Sequence, residues 1–484
     1  MVNWRLISKI IGSLLFIEAL FMAICFVMAV AYAENDSLAF ALATLTTFGG
    51  AFVFRSIGQP RTNALSRRDA YVVVTLTWIV FSVFGMVPFL LEGSVRQLTD
   101  AFFETMSGFT TTGATIINNV EALPHALLFW RSMMQWIGGL GIVFFTIAIL
   151  PSLVGGSVKV FAAEATGPMR SKMHPRLSTS AKWIWTIYML LTAACALSFW
   201  AAGMDWFEAV NYAMSTTATG GFSVHNGTIF LASPLIEYLA ILFQFLAGIN
   251  FTLLYMGLFK WQPRAFVQNS EFKFYLAMVL SATAVIMLLL LTNMNYELEP
   301  AFRSALFQVV SFVTTTGLSN TDAGAWPQFT WVILGLLMFM GACAGSTTGG
   351  FKSIRGLMMF KTLRNEFRHI IHPNAVLPVK VNGQSIPQAK LVTLLAFFLL
   401  YIIMLLIVCT IMVVAGVDLT NSFTISLSLI SNVGAGLDTN IGPQMSWADL
   451  STGIKWLCSL LMLVGRLEII AVLVLFTRGF WKEN

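Results

Sequence analysis

Long apolar runs alternate with short polar connections from one end of the chain to the other. Runs long enough to cross about 30 Å of hydrocarbon, at roughly 20 residues per helix, fall at residues 10–33, 37–54, 70–91, 125–150, 182–203, 233–258, 274–292, 327–365, 391–416 and 450–477. They predict ten transmembrane helices, a hairpin from the first two and then four pairs. Between the members of each pair lies a half-apolar stretch of about 15 residues ending in a Thr- or Gly-rich turn, too short to cross by itself. Each such stretch is expected to dip into the membrane and return. The pattern predicts an all-α membrane protein: four pseudo-symmetric helix–pore-loop–helix repeats around one central pore, plus an N-terminal two-helix hairpin. The divisions are hairpin 1–60, first repeat 61–155, second 156–265, third 266–385 with a broken second helix, and fourth 386–484.

Four motifs carry the repeat: Phe109-Thr110-Thr111-Thr112-Gly113, Thr216-Thr217-Ala218-Thr219-Gly220, Val313-Thr314-Thr315-Thr316-Gly317 and Ile430-Ser431-Asn432-Val433-Gly434. Their glycines are 107, 97 and 117 residues apart. Six positions before the glycine stand Ser107, Ser311 and Ser428, and ten positions before it Phe103 and Phe307; in this register the second motif departs, with Met214 and Val210. One such motif means little, because small residues are ordinary in membrane helices. Four, each set between two spans, define a unit.

Composition agrees with a chain embedded in lipid. Hydrophobic residues make up 57% and charged residues 10%, and mean hydropathy is +0.79, against roughly one quarter charged in soluble domains. The net charge of +6 lies in connections between spans, without a nucleic-acid-binding motif. The five cysteines form no CxxC pair and read as small buried hydrophobes. Arg5 and Lys9 precede an apolar run ending in Ala31-Tyr32-Ala33, which imitates a signal peptide. The run is longer than the usual h-region and a second span follows at once, so a retained hairpin is expected. Lys and Arg collect after the second, fourth, sixth and eighth spans and at the C-terminus, including Arg55, Arg61, Lys159, Arg170, Lys172, Arg176, Lys260 and Lys352, whereas most acids fall on the other side. The bias predicts cytoplasmic termini and re-entrant segments entering from outside.

The candidate chemistry is cation coordination. A dehydrating cation needs oxygen ligands, and backbone carbonyls supply them where an irregular chain lines a cavity. The candidate ligands are Thr111 and Thr112 with Gly113, Ala218 and Thr219 with Gly220, Thr315 and Thr316 with Gly317, and Asn432 and Val433 with Gly434. Their side chains differ, so shared carbonyls must dominate. Asp100, Asp205, Glu299 and Asp418 are expected at the outer ends of the preceding helices, as caps or as attractors of cations. The glycine-rich run at 341–350 predicts an unwound, gate-like loop containing Gly345, Ser346, Thr347, Thr348, Gly349 and Gly350; a tightly packed glycine-rich crossing is the bland alternative. Arg466 stands twelve residues before Arg478, roughly 18 Å along an unbroken helix. It is expected at the pore, bonding carbonyls of that loop, with a structural ion pair as the alternative. Glu468 is expected to point elsewhere. Trp206, Trp326 and Trp447 read as interfacial anchors.

These motifs resemble the TrkH subunits of bacterial Trk potassium-uptake systems, within the Trk, Ktr and HKT superfamily. The resemblance rests on SGFTTTGAT at 107–115, WIGGLGI at 136–142, ATGGFS at 218–223, GACAGSTTGGFKSIR at 341–355, HPNAV at 372–376 and GRLE at 465–468. It implies K⁺ as the transported ion at the four glycine segments, and gating by the 341–350 loop with Arg466. It also implies a homodimer in the inner membrane and a cytosolic TrkA-like ring that binds NAD, ATP or ADP, with no organic cofactor on this chain and no nucleic acid among its partners. Gly113 stands where a serine accompanies Na⁺ permeation in related transporters. A gated pore and a K⁺ transporter coupled to H⁺ or Na⁺ both remain open; the absence of an acid in the four segments favours the pore. An intramembrane enzyme lacks any catalytic constellation.

Overall fold

A computed structural model describes residues 2–58, 65–141, 177–226, 233–437 and 447–482. Arg61, Lys159, Arg170, Lys172, Arg176, Asp438 and the far part of the fourth apolar run lie outside the described residues. Apart from a two-stranded hairpin pairing Lys380 with Ser385 and Val381 with Gln384, regular structure in the described residues is helical.

The first two helices, Trp4–Ala31 and Ser37–Ile57, form the expected hairpin. Asn3 caps the first, accepting from the Leu6 amide at 3.1 Å. Ser66 and Asp69 make a reciprocal capping box at the start of the third helix, Arg67–Gly85, and the Asp69 carboxylate also accepts from the Asn3 amide at 2.8 Å. A single acid thus orders one helix start and ties it to the hairpin. Long helices on the outside, such as Ser37–Ile57 and Gln388–Val414, bury only 28% of their most apolar window. Leu38, Leu45, Phe48 and Phe52 on the first of these are exposed, as lipid-facing residues must be. Among the described residues, six helices have the length and hydropathy to span alone, and two bent pairs can each make a further span.

Inside this shell sit four short helices, Leu98–Phe109, Trp206–Ala218, Leu298–Val313 and Leu419–Ser431, which are the expected re-entrant segments. They are buried over most of their length although rich in Ser and Thr. Asp205 and Asp418 cap their helices, accepting from Phe207 and Thr420 amides at 2.9 and 3.0 Å. Asp100 and Glu299 instead lie in the first turn and pair with Lys455 at 2.7 Å and Arg303 at 2.9 Å. Trp206 is exposed, but Trp326 and Trp447 are buried, so those two pack the interior instead of anchoring at the interface.

In the second, third and fourth repeats the helix that follows the re-entrant segment does not run straight. The expectation confined the break to the third repeat. Helix Pro234–Ala247 turns by 106° into Phe251–Leu258, and Thr452–Arg466 by 109° into Ile470–Phe476. Helix Gln328–Met340 stops at Gly341 and resumes only at Ser353, and His125–Gly139 is followed by Gly141 at φ 84°. In the last repeat the break is made by Glu468 and Ile469, both left-handed at φ 57° and 49°. An apolar helical pattern conceals it because the cause is tertiary: Glu468 pairs with Arg355 at 2.5 Å. The 18 Å depth expected for Arg466 assumed an unbroken helix and does not hold.

Candidate functional site

Each re-entrant helix ends in the same turn. Thr111, Thr219, Thr315 and Asn432 take left-handed φ values of 54°, 54°, 55° and 56°, a conformation that costs a residue with a side chain about 1–2 kcal/mol. The next residue then reaches back to the helix: the amides of Thr112, Gly220, Thr316 and Val433 donate to the carbonyls of Ser107, Ser215, Ser311 and Ser428 at 2.9, 2.9, 2.8 and 2.9 Å. Gly113, Gly221, Gly317 and Gly434 follow, at φ 83°, 81°, 76° and 75°. Strain repeated at four equivalent positions is the mark of a site held for a purpose.

This geometry corrects the second motif by one residue. Thr219, Gly220 and Gly221 occupy the positions of Thr111, Thr112 and Gly113, and Ala218 belongs to the end of the helix. The register set from Gly220, the first glycine of the Gly220-Gly221 doublet, puts Met214 where the other three motifs have serine. In the corrected register Ser215 replaces Met214, so a serine stands at this position in all four repeats.

The four turns close into a ring. A methyl group built on Gly113 would lie 2.2 Å from the Gly220 carbonyl oxygen; on Gly221, 2.1 Å from that of Thr316; on Gly317, 2.1 Å from that of Val433; and on Gly434, 2.0 Å from that of Thr112. Every turn therefore touches the next, and the last touches the first. No side chain fits at any of the four contacts. Helix C-termini, the negative ends of their dipoles, converge on this ring from four sides. Gln135 supports it from outside, donating to the Gly220 carbonyl at 2.7 Å and accepting from Ser215 Oγ at 2.9 Å and from the Phe222 amide at 3.1 Å. The Asn432 side chain joins the fourth turn to the first by donating to Thr112 Oγ1 at 3.0 Å.

The 341–350 loop lies under the ring. Gly349 donates its amide to Thr315 Oγ1 at 2.7 Å, and Thr347 Oγ1 donates to the Thr217 carbonyl at 3.2 Å. On the opposite edge Asn250 Nδ2 donates to the Ala344 carbonyl at 2.6 Å and the Cys343 backbone N–H to the Gly248 carbonyl at 3.1 Å. Ser346 Oγ folds back on the Cys343 carbonyl at 2.6 Å and lies 2.8 Å from Thr348 Oγ1. Gly345 and Gly350, both at φ 75°, bracket the run. Arg466 donates to the Thr347 carbonyl at 2.9 Å and to Gly138 and Gly139 carbonyls at 2.6 and 2.9 Å. It spans from the loop to the first repeat.

Three features escaped the sequence reading. Lys352, buried beside the loop, donates to the Thr348 carbonyl; its position just after the glycine run was visible, but burial was not. Glu104 and Arg131 form a buried pair at 3.0 Å between the first re-entrant helix and the helix behind it. The third is Gln135, whose side chain bonds the second turn from outside the ring. His125 and His225 bond to acids, to Glu34 and to Glu121 and Glu208, and no group of three metal-ligating side chains is found among the described residues.

Residues 43–482 match the family model TrkH, described as a cation transport protein. This chain belongs to the TrkH family. It is 35% identical to the Trk system potassium uptake protein TrkH of Escherichia coli strain K12, covering 99% of this chain and 100% of that protein. It is 36% identical to the TrkH of Halomonas elongata, with 99% of each covered. The crystal structure of the potassium transporter TrkH from Vibrio parahaemolyticus superposes with a TM-score of 0.90 at 33% identity, over 99% of this chain and 100% of that one. The chain is thus a multi-pass membrane protein of a family of transporters, and the ring and loop described above sit within the matched region.

Proposed function

We propose that this chain takes up K⁺ across a bacterial inner membrane through the ring of four turns, with the loop beneath it as gate. The observation that carries the reading is the closed ring: four backbone turns with the same strained geometry and the same return hydrogen bond, backed by four helix C-termini. The selecting residues are Thr111, Thr112 and Gly113; Thr219, Gly220 and Gly221; Thr315, Thr316 and Gly317; and Asn432, Val433 and Gly434. Carbonyls replace the water that K⁺ sheds. K⁺ is cargo, and the chain needs no organic cofactor for this work.

Below the ring, Arg466 and Lys352 place two cationic side chains against loop carbonyls, and in this arrangement they oppose a descending cation. Opening then requires the 341–350 loop and Arg466 to move together. Family membership supports a homodimer and regulation by a cytosolic TrkA-like ring that binds NAD, ATP or ADP. Helix Ser353–Ile371 exposes Phe360, Leu363, Phe367 and Ile370 at spacings that share one face, a surface suited to another protein. The lysine and arginine bias of the connections supports cytoplasmic termini. The four turns contain no acid, which supports a pore over coupling to H⁺ or Na⁺. Unitary currents in lipid bilayers, with and without the regulatory subunit and ATP, test the reading. Currents far above transporter turnover support the pore; uptake only at transporter rates, with obligatory H⁺ or Na⁺ entry, overturns it.

A further inference from the structure

A second regularity runs behind the ring. Nine positions before each ring glycine, on the re-entrant helix, stand Glu104, Tyr212, Gln308 and Ile425; two positions after it stand Thr115, Ser223, Ser319 and Gly436. In three repeats these residues bond to each other. Glu104 accepts from Thr115 Oγ1 at 2.9 Å, Tyr212 Oη and Ser223 Oγ lie 3.0 Å apart, and Gln308 donates to Ser319 Oγ at 2.6 Å. In the fourth repeat isoleucine faces the glycine position, and neither offers a side-chain hydrogen bond.

The three bonds use different chemistry for one geometric task, which separates them from ordinary helix packing. Each closes a loop around the strained turn, from one side of the glycine to the helix that precedes it. We propose that these pairs are braces: positioning residues that hold the ring carbonyls at the spacing K⁺ requires, and that the ring is stiff in its first three segments and compliant in its fourth. The first brace is the strongest. Glu104 also accepts from the Ile116 amide at 3.0 Å, and Arg131 binds Glu104, Thr115 Oγ1 and the Ser223 carbonyl at 3.0, 3.2 and 2.9 Å. Arg131 therefore couples the first brace to the second. Glu104 is fully buried, and removing Arg131 would leave its charge unpaired, so the hydroxyl end is the informative one to alter.

The inference rests on the ring being the selective element, and the experiment keeps the two apart. K⁺ uptake and its competition by Na⁺ are measured in cells lacking their own K⁺ uptake systems. Thr115→Val, Ser223→Ala and Ser319→Ala remove a hydroxyl; Thr115→Ser, Ser223→Thr and Ser319→Thr keep it; Gly113→Ser alters the ring itself. Ser223→Ala and Ser319→Ala should raise the K⁺ KM and lower K⁺ over Na⁺ discrimination about threefold to tenfold, the worth of one neutral hydrogen bond, and Thr115→Val by more than about tenfold because its hydroxyl bonds a carboxylate, with maximal uptake within about twofold in all three. The hydroxyl-keeping variants should behave as the parent. If a removing variant does not reach the membrane, K⁺ against Na⁺ stabilisation of purified protein in detergent reads the same difference. Unchanged discrimination in the removing variants, with Gly113→Ser altered, overturns the braces and leaves the ring standing; unchanged discrimination in Gly113→Ser as well removes the ring reading and the braces with it.

Discussion

The contact between each ring glycine and its neighbour's carbonyl sets the most local prediction. Gly221 is left-handed and a methyl there would meet the Thr316 backbone at 2.1 Å, whereas a methyl on Gly220 would meet the Gln135 side chain at 2.4 Å, with no unusual φ at Gly220 itself. Backbone cannot yield as an amide side chain can. Gly221→Ala should therefore reduce K⁺ uptake at least about tenfold, and Gly220→Ala distinctly less, in a K⁺-limited growth assay. Equal effects would return the second motif to its original register. Arg466 is the other residue with a defined expectation. A unit charge a few ångströms from the pathway is worth about 3 kcal/mol at an effective dielectric near 20. Arg466→Ala should therefore raise K⁺ flux into proteoliposomes about tenfold or more, and Arg466→Lys should raise it less. At this scale the sequence was informative wherever chemistry was backbone-borne. Threonine and glycine spacing exposed three turns of the four, and an arginine within an apolar run exposed Arg466. Hydroxyl pairs such as Gln308 with Ser319 were hidden, since nothing in a linear pattern distinguishes a bonded serine from a packed one.

Broken helices dominate the scale of elements. Apolar runs at 233–258 and 450–477 read as single spans, yet each turns by more than 100° under the ring. Hydropathy reports burial in lipid or protein and is blind to direction. Only the third break was legible, because glycine density announces it. The break positions share a consequence. Gly138 and Gly465 press against the carbonyls of Phe109 and Ile430, where a methyl would lie 1.8 and 2.3 Å away. The next residue is Gly139 in the first repeat and Arg466 in the fourth, so the fourth repeat carries an arginine where the first has no side chain at all. The loop of the third repeat is anchored to the second by Asn250. Asn250→Leu removes the bond to the Ala344 carbonyl and the cap on Thr252, and should loosen the loop. Increased basal K⁺ leak, read as Rb⁺ tracer flux without a regulatory subunit, is the expected result; an unchanged leak would show that the loop is held elsewhere.

For the whole molecule, four-fold resemblance is closest at the ring and its re-entrant helices, and the surrounding layers depart from it. Three repeats carry a bonded pair behind the ring where the fourth has Ile425 and Gly436; one break is a twelve-residue segment between Met340 and Ser353, and another ends in an arginine. Symmetry suits the coordination of a spherical ion, and asymmetry suits a gate that must have one closed arrangement. The pseudo-symmetric plan and the lipid shell were readable from run lengths and motif spacing. The asymmetry beneath the ring was readable only in part, because it depends on contacts between residues more than a hundred positions apart, such as Arg355 with Glu468. The central claim is that the four-turn ring selects K⁺. Its most direct test is the K⁺ to Na⁺ flux ratio of purified protein in liposomes for Gly113→Ser, Gly221→Ser, Gly317→Ser and Gly434→Ser, each against the parent. The account predicts that all four lose discrimination or conduct no K⁺; parental discrimination and flux in any two of them would contradict it.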